Sequence, residues 1–181
     1  MKEEIIVAGF GGQGVLAMGK ILAYSGVMQG KEVSWFPSYG PEMRGGTANV
    51  TVILSDDRIS SPVLYKYDTA VILNQQSLEK FEKSVKPGGV LIYEPNGIKV
   101  APTRTDIEIY KIEATKLAVE RMKNSRVFNM IVLGAYLKVK PVVNFQNLEK
   151  GLENSLNSRH HKLIPVNLEA VQVGIDSVER V

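Results

Sequence analysis

The stretch EIIVAGFGGQGV, residues 4–15, decides how the rest of the chain is read. Glu4 to Gly9 is a short apolar run that ends in glycine, which suits a strand buried on both faces. Gly9, Gly11 and Gly14 then satisfy the spacing G-x-G-x-x-G. From Gln13 to Gly30 the residues Val15, Leu16, Met18, Ile21, Leu22, Tyr24, Val27 and Met28 spread around most of the girth of a helix, so that helix is covered on more than one side. Glycine permits positive φ and close backbone approach. The first amides of the helix are unpaired donors at the positive end of its dipole. A loop of this kind can receive an anion or a polar ligand.

The loop by itself leaves three readings open. A dinucleotide enzyme also needs an acid at the end of the second strand to hold the ribose hydroxyls. That end here is Phe36-Pro37-Ser38, and Glu32 precedes the strand, where it should point away from the ligand crevice. The other readings are a purely structural tight turn, and a glycine crevice that receives another phosphate or a partner's backbone.

Working outward, Gly30 stops the first helix and Glu32–Phe36 gives a second strand. Residues 47–54, TANVTVIL, alternate and are rich in β-branched side chains, which predicts a strand, antiparallel and closer to an edge. A loop or short helix follows Ser60-Ser61-Pro62. Thr69–Leu73 reads as a strand, Ser77–Val85 as a helix, Pro87-Gly88-Gly89 as a turn, Val90–Tyr93 and Ile107–Ile112 as further strands. Helices are expected at 114–123, 128–137, 145–156 and 168–179. This alternation predicts one α/β domain over residues 1–181, three-layered and Rossmann-like, with a mainly parallel or mixed sheet.

Residues 35–46, WFPSYGPEMRGG, combine prolines that fix φ with glycines that free it. Between them sit Tyr39, Glu42, Met43 and Arg44. Aromatics, methionine and arginine are enriched in buried interface cores, and the arginine fork suits carboxylate or phosphate. An exposed connection would tolerate these residues but would not call for so many special backbone positions, so a shaped contact loop is the expectation. Ser60-Ser61-Pro62 and Asn74-Gln75-Gln76-Ser77 read as helix caps. In a parallel sheet, Asn74 and Glu94 leave from the same carboxyl edge as Gly9, and Asn129 near the start of an apolar helix is a further candidate contributor.

Composition limits the chemistry. The 181 residues contain no cysteine, which excludes disulfides, thiolate nucleophiles and cysteine-ligated iron–sulfur clusters on this chain. The formal charge is +3, and residues 1–60 hold five Lys or Arg against six Asp or Glu, so the excess lies later. There Lys111, Lys116, Arg121, Lys123, Arg126, Lys138 and Lys140 are dispersed among acids and apolar residues, as on a solvated face. His160 and His161 are the only histidines and read as a solvated loop feature. No Ser–His–acid set, P-loop or HExxH string is present. MKEEIIVAGFGG is not the layout of a signal peptide, and no apolar stretch approaches the roughly 20 residues of a membrane span. A cytoplasmic protein is expected, without nucleic-acid or membrane partners.

GFGGQGV at 9–15, YGPEMRGG at 39–46, the strand that follows, Ser61-Pro62 and DTAVILN at 68–74 together resemble the gamma subunit of 2-oxoacid:ferredoxin oxidoreductases of the pyruvate, 2-oxoisovalerate and 2-oxoglutarate type. The indolepyruvate enzyme has a related subunit. The resemblance implies a multi-subunit enzyme that decarboxylates a 2-oxoacid on thiamine diphosphate, passes electrons through iron–sulfur clusters to ferredoxin and transfers the acyl group to coenzyme A. It implies alpha, beta and delta-type partner subunits, with ferredoxin met only indirectly. Thiamine diphosphate, magnesium and the clusters are expected on those partners, since this chain has no cysteine and no thiamine-type GDG motif. Carried onto this chain, Gly11, Gly12, Gln13 and Gly14 with Arg44 form a crevice that meets coenzyme A or a partner's backbone. Tyr39, Pro41, Glu42, Met43, Gly45 and Gly46 form the adjoining partner contact. No catalytic residue or metal ligand is expected here, and the isolated chain should be inactive. The all-round apolar first helix leaves self-association of the isolated chain open. The competing readings are a freestanding nucleotide-binding adaptor or regulator, and an NAD-dependent oxidoreductase.

Overall fold

Ile5, Ile6, Val7 and Ala8 are wholly buried, as a strand covered on both faces must be. They lie in β1 (Lys2–Phe10), the third strand of a seven-stranded sheet in a computed structural model that describes residues 1–39 and 46–181. The other strands are β2 (Glu32–Tyr39), β3 (Thr47–Ser55), β4 (Tyr67–Ile72), β5 (Val85–Tyr93), β6 (Glu108–Lys111) and β7 (Glu179–Arg180). Their order is β2-β3-β1-β4-β5-β6-β7. β1, β4, β5 and β6 run parallel, whereas β3 pairs antiparallel with both β1 and β2, and β7 antiparallel with β6.

Two cores flank the sheet. Ile5 and Val7 face α1 (Val15–Met28), α3 (Ala114–Glu120), α4 (Phe128–Val139), α5 (Phe145–Ser155) and α6 (Ile164–Ser177). Ile6 and Ala8 face α2 (Gln75–Phe81) through Leu78 and Phe81. The three layers expected from the alternation of elements are present, and the sheet is mixed. The helix layer is tight because glycine lets backbones approach. A Cβ on Gly134 of α4 would stand 2.0 Å from Val171 O of α6, and one on Gly174 would stand 1.9 Å from Ile131 O.

β3 is antiparallel and lies next to the edge, as read. The edge strand is β2, whose Pro37 is tolerated there because an edge strand has one side without ladder bonds. Three expectations need correction. Pro87-Gly88-Gly89 does not end a helix-to-strand turn; it lies within β5, where Gly88 takes φ +74° and the register with β4 shifts between Tyr67 and Thr69. α6 begins four residues before the expected start, with Pro165 in its first turn, where a missing N–H costs nothing. It ends at Ser177, and the residues that follow pair with β6, because Tyr110 and Lys111 leave an open ladder for Arg180 and Glu179.

At the amino edge of the sheet Lys86 Nζ lies 2.6 Å from Glu4 and 2.7 Å from Asp68, and Thr69 Oγ1 donates to Glu3 at 2.5 Å. These acids anchor the base of the sheet, away from the carboxyl edge where the glycine loop lies.

Candidate site at the glycine loop

The chain leaves β1 for α1 on one face and leaves β4 for α2 on the other, so the carboxyl ends of β1 and β4 part. Ligands of open α/β sheets gather at such a reversal. Gly12 and Gly14 have φ of +98° and +75°, and Gly14 is the N-cap of α1. No side chain caps this helix among the described residues. Its first intrahelical bond runs from Met18 N to Gly14 O at 2.9 Å, so the amides of Val15, Leu16 and Ala17 precede the hydrogen-bonded ladder.

Three contacts set the loop. Gly11 N donates to Gly46 O at 2.8 Å, tying it to the start of β3. Asn129 Nδ2 of α4 donates to Gly14 O at 3.3 Å. The Gln13 carboxamide accepts from Phe10 N at 2.6 Å and donates to Leu73 O at 3.3 Å. A Cβ on Gly12, by contrast, would meet nothing within 4 Å, so this α-carbon faces open space.

Gly12 opens on a cavity of about 330 Å³, lined by Gln13, Gly14, Thr115, Arg126, Phe128 and Asn129 among others. A second cavity of about 270 Å³ lies against Gly11, Gly12, Val15, Leu16 and Ala48. A third, of about 410 Å³, shares Arg126 and Asn129 with the first and continues over Met130, Leu163 and Val166. The glycine loop thus borders Arg126 and Asn129 on one side and the start of α1 on the other, with apolar walls beyond. An anion with a long, partly apolar tail matches this arrangement.

Of the residues expected at the site, Gly12, Gln13 and Gly14 line the first cavity, and Gly11, Gly12 and Gly14 the second. Arg44, Pro41, Glu42, Met43 and Gly45 lie outside the described residues, as does the side chain of Tyr39. The Tyr39 backbone pairs with Ala48, and Gly46 carries the carbonyl that receives Gly11 N. Arg126 was legible only as one of several dispersed basic residues; its place on the crevice depends on how α4 crosses the sheet. Asn129 does reach the loop.

Asn74 and Glu94 lie at the same carboxyl edge but are turned to structural use. Asn74, 1% exposed, accepts from Ser77 N at 2.8 Å and caps α2; its Nδ2 has no partner among the described residues. Glu94, 2% exposed, accepts from Asn96 N at 3.0 Å and from Thr115 N at 2.9 Å, which fastens the start of α3. Burial pushes the Glu94 carboxyl above the usual range, against the opposing effect of the Asn96, Thr115 and Ala114 amides. Ser61 caps no helix: its hydroxyl accepts from Val63 N in a local turn. His161 is not a loose loop residue either, since its Nε2 lies 2.9 Å from Glu153 O at the end of α5.

Glu32 begins β2 at the amino end, opposite the loop. In addition, β3 separates β2 from β1, which sets the end of β2 about 10 Å from the loop's own strand at the usual spacing. The ribose-binding geometry of a dinucleotide fold is therefore not reproduced. Among the described residues, no group of three His, Asp or Glu side chains could hold a metal ion, and no helix is long and apolar enough to cross a membrane.

These features define an open α/β domain whose glycine loop and helix start face a crevice at a reversal of strand order. Residues 4–177 match the family of pyruvate ferredoxin/flavodoxin oxidoreductases, and the chain belongs to that family. Its relatives are gamma-type subunits of the 2-oxoacid oxidoreductases. The 2-oxoglutarate synthase subunit KorC of Methanocaldococcus jannaschii is 35% identical over 158 residues, covering 86% of this chain and 84% of the relative. The ketoisovalerate oxidoreductase subunit VorA of Methanothermobacter marburgensis is 32% identical over 96% of this chain, which spans 36% of that longer relative.

Two solved structures share the fold. The gamma subunit of the keto/oxoacid ferredoxin oxidoreductase from Geobacter sulfurreducens superposes with a TM-score of 0.80 at 28% identity, covering 96% of each chain. The 2-oxoglutarate:ferredoxin oxidoreductase from Magnetococcus marinus, solved with 2-oxoglutarate, coenzyme A and succinyl-CoA bound, superposes with a TM-score of 0.84 at 27% identity, over 96% of this chain and 30% of the larger one.

Proposed function

We propose that this chain serves as the gamma component of a multi-subunit 2-oxoacid:ferredoxin oxidoreductase, and that its glycine crevice holds the diphosphate end of coenzyme A. The observation that carries this reading is the single cavity in which the glycine loop meets Arg126 and Asn129. The bound coenzyme A in a structurally similar enzyme supports it.

The chemistry of the crevice is recognition. Phosphate oxygens accept hydrogen bonds from the first amides of α1, and the Arg126 guanidinium neutralises charge beside them. The apolar walls toward Leu163 and Val166 suit the less polar part of the same molecule. Gln13, whose carboxamide is committed to Phe10 N and Leu73 O, shapes the loop. Arg44 and the residues from Tyr39 to Gly46 complete the proposed crevice and its contact with partner subunits.

Reaction at the 2-oxoacid is assigned to companion chains of alpha, beta and delta type that carry thiamine diphosphate, magnesium and iron–sulfur clusters. A chain without cysteine supplies no thiolates for a cluster. The family relatives at 35% and 32% identity are named for different substrates, 2-oxoglutarate and ketoisovalerate. Substrate choice is accordingly placed outside this domain, and the complex in the cytoplasm.

Purification of the chain from its own host tests the assignment. It should travel with larger chains that carry thiamine diphosphate and iron–sulfur absorbance. Isolation as a lone protein, or micromolar binding of NAD or NADH, would overturn it in favour of an adaptor or a nicotinamide enzyme.

A further inference from the structure

Parallel pairing of β1 with β4 runs in register from Ile5↔Thr69 to Ala8↔Ile72. The next bond, Leu73 N to Ala8 O at 2.8 Å, is still made. In a parallel ladder the rung after that joins Phe10 N to Leu73 O. It is absent. Phe10 N instead donates to Gln13 Oε1 at 2.6 Å, and Gln13 Nε2 donates to Leu73 O at 3.3 Å. The side-chain amide has entered between the two backbone groups that would otherwise meet, offering each the partner it needs.

Gly9 is explained by the same arrangement. A Cβ there would stand 2.5 Å from Gln13 Oε1 and 2.9 Å from Leu73 Cβ, so no side chain fits while Gln13 occupies its position. The first glycine of the pattern serves the inserted amide. Gly12, which faces open space, is left to the ligand.

We propose that Gln13 is a positioning residue, a one-amide wedge that holds the ends of β1 and β4 apart and so fixes the width of the crevice and the aim of the α1 amides. The inference rests on the crevice reading above but makes a separate claim about how the crevice is kept open. Once Gln13 is removed, Phe10 N and Leu73 O can pair directly. The ladder then extends by one rung and the loop is drawn toward β4.

The test uses the whole purified complex. Gln13→Ala should raise the KM for coenzyme A on the order of tenfold while kcat changes less, because misplacing a binding loop by about an ångström has effects of this size or larger. A structure of the variant complex should show Phe10 N bonded to Leu73 O at about 2.9 Å. Gln13→Met keeps the bulk and removes both hydrogen bonds, and should raise KM less than the alanine variant.

An unchanged KM in Gln13→Ala overturns the proposal, as does a raised KM with the strand ends still apart, which would mean that Gln13 touches the ligand. Equal rises in the two variants also overturn it. Arg126→Ala separates the two claims. If that variant leaves the KM for coenzyme A unaltered, the crevice reading fails, whereas strand closure in Gln13→Ala still decides whether the wedge exists.

Discussion

The Asn129 side chain occupies the space that a side chain on Gly14 would need. A Cβ on Gly14 would stand 2.5 Å from Asn129 Nδ2, while that same nitrogen donates to Gly14 O at 3.3 Å. The glycine at the head of α1 and the asparagine at the head of α4 are thus fitted to each other, one by lacking a side chain and the other by reaching across to its carbonyl.

Gly14→Ala should therefore destabilise the protein for two reasons. Alanine at φ +75° costs about 1–2 kcal/mol by itself. Displacing Asn129 adds to that. In the double variant with Asn129→Ala the two closest steric contacts are removed, the one with the Asn129 Cβ at 2.9 Å and the φ cost remain, and the two losses should sum to more than the double loss. Urea denaturation of all three variants checks this, and strict additivity would show that the two residues are not coupled.

Arg126→Ala should weaken coenzyme A without altering the affinity for the 2-oxoacid. Loss of a charge-assisted contact is worth about 1.5–3 kcal/mol, and therefore raises the KM for coenzyme A by about tenfold or more. Steady-state kinetics of the complex with each substrate varied in turn measures it. Arg126→Lys should recover part of the affinity, since it restores the charge but not the fork.

Gly134→Ala and Gly174→Ala should each lower the melting temperature. Helix propensity alone would favour alanine by up to about 1 kcal/mol. The added methyl group, however, would collide with a backbone carbonyl of the facing helix at 2.0 or 1.9 Å, and overpacking of this kind costs about 1–3 kcal/mol or more. For a chain of this size each kcal/mol lowers Tm by roughly 2–4 °C. A rise in Tm would mean that α4 and α6 are not in contact as described.

Glu94 should make stability fall as pH rises. Its carboxyl pKa is raised in the folded protein by burial, so the native state holds a proton that the unfolded chain releases. The stability from this group is complete below the unfolded value, near 4.5, and is lost as pH climbs through the folded value. Glu94→Gln should abolish this dependence, at the cost of about 1 kcal/mol for a weakened cap on α3. Denaturation curves from about pH 4 to about pH 7 resolve it. The opposite slope from Glu94 in the native protein would contradict the assigned burial.

Where local chemistry decided an element, it was readable beforehand. The fully apolar β1, the glycine turn and the all-round apolar α1 follow from residues within a few positions of one another. So does the antiparallel β3, through its alternation. The elements misjudged depended on distant partners: β7 is a strand only because β6 lies beside it, and Pro87-Gly88-Gly89 stays in β5 because β4 absorbs the irregularity as a register shift. The glycine loop was legible as the turn from β1 to α1; the place of Arg126 on the cavity beside it was not, because nothing in its own surroundings distinguishes it from the other dispersed basic residues.

By itself the sequence determined the strand–loop–helix unit and the lack of cysteine chemistry, since backbone preference and side-chain inventory need no tertiary context. Only the folded structure decided which polar groups meet at the loop. Asn129 and Gly14 are 115 positions apart, and Gln13 reaches a carbonyl 60 positions away. Those encounters follow from α1 and α2 leaving on opposite faces of the sheet and from α4 packing beside α1, and such long-range geometry is fixed by burial of the whole core rather than by any short run of residues.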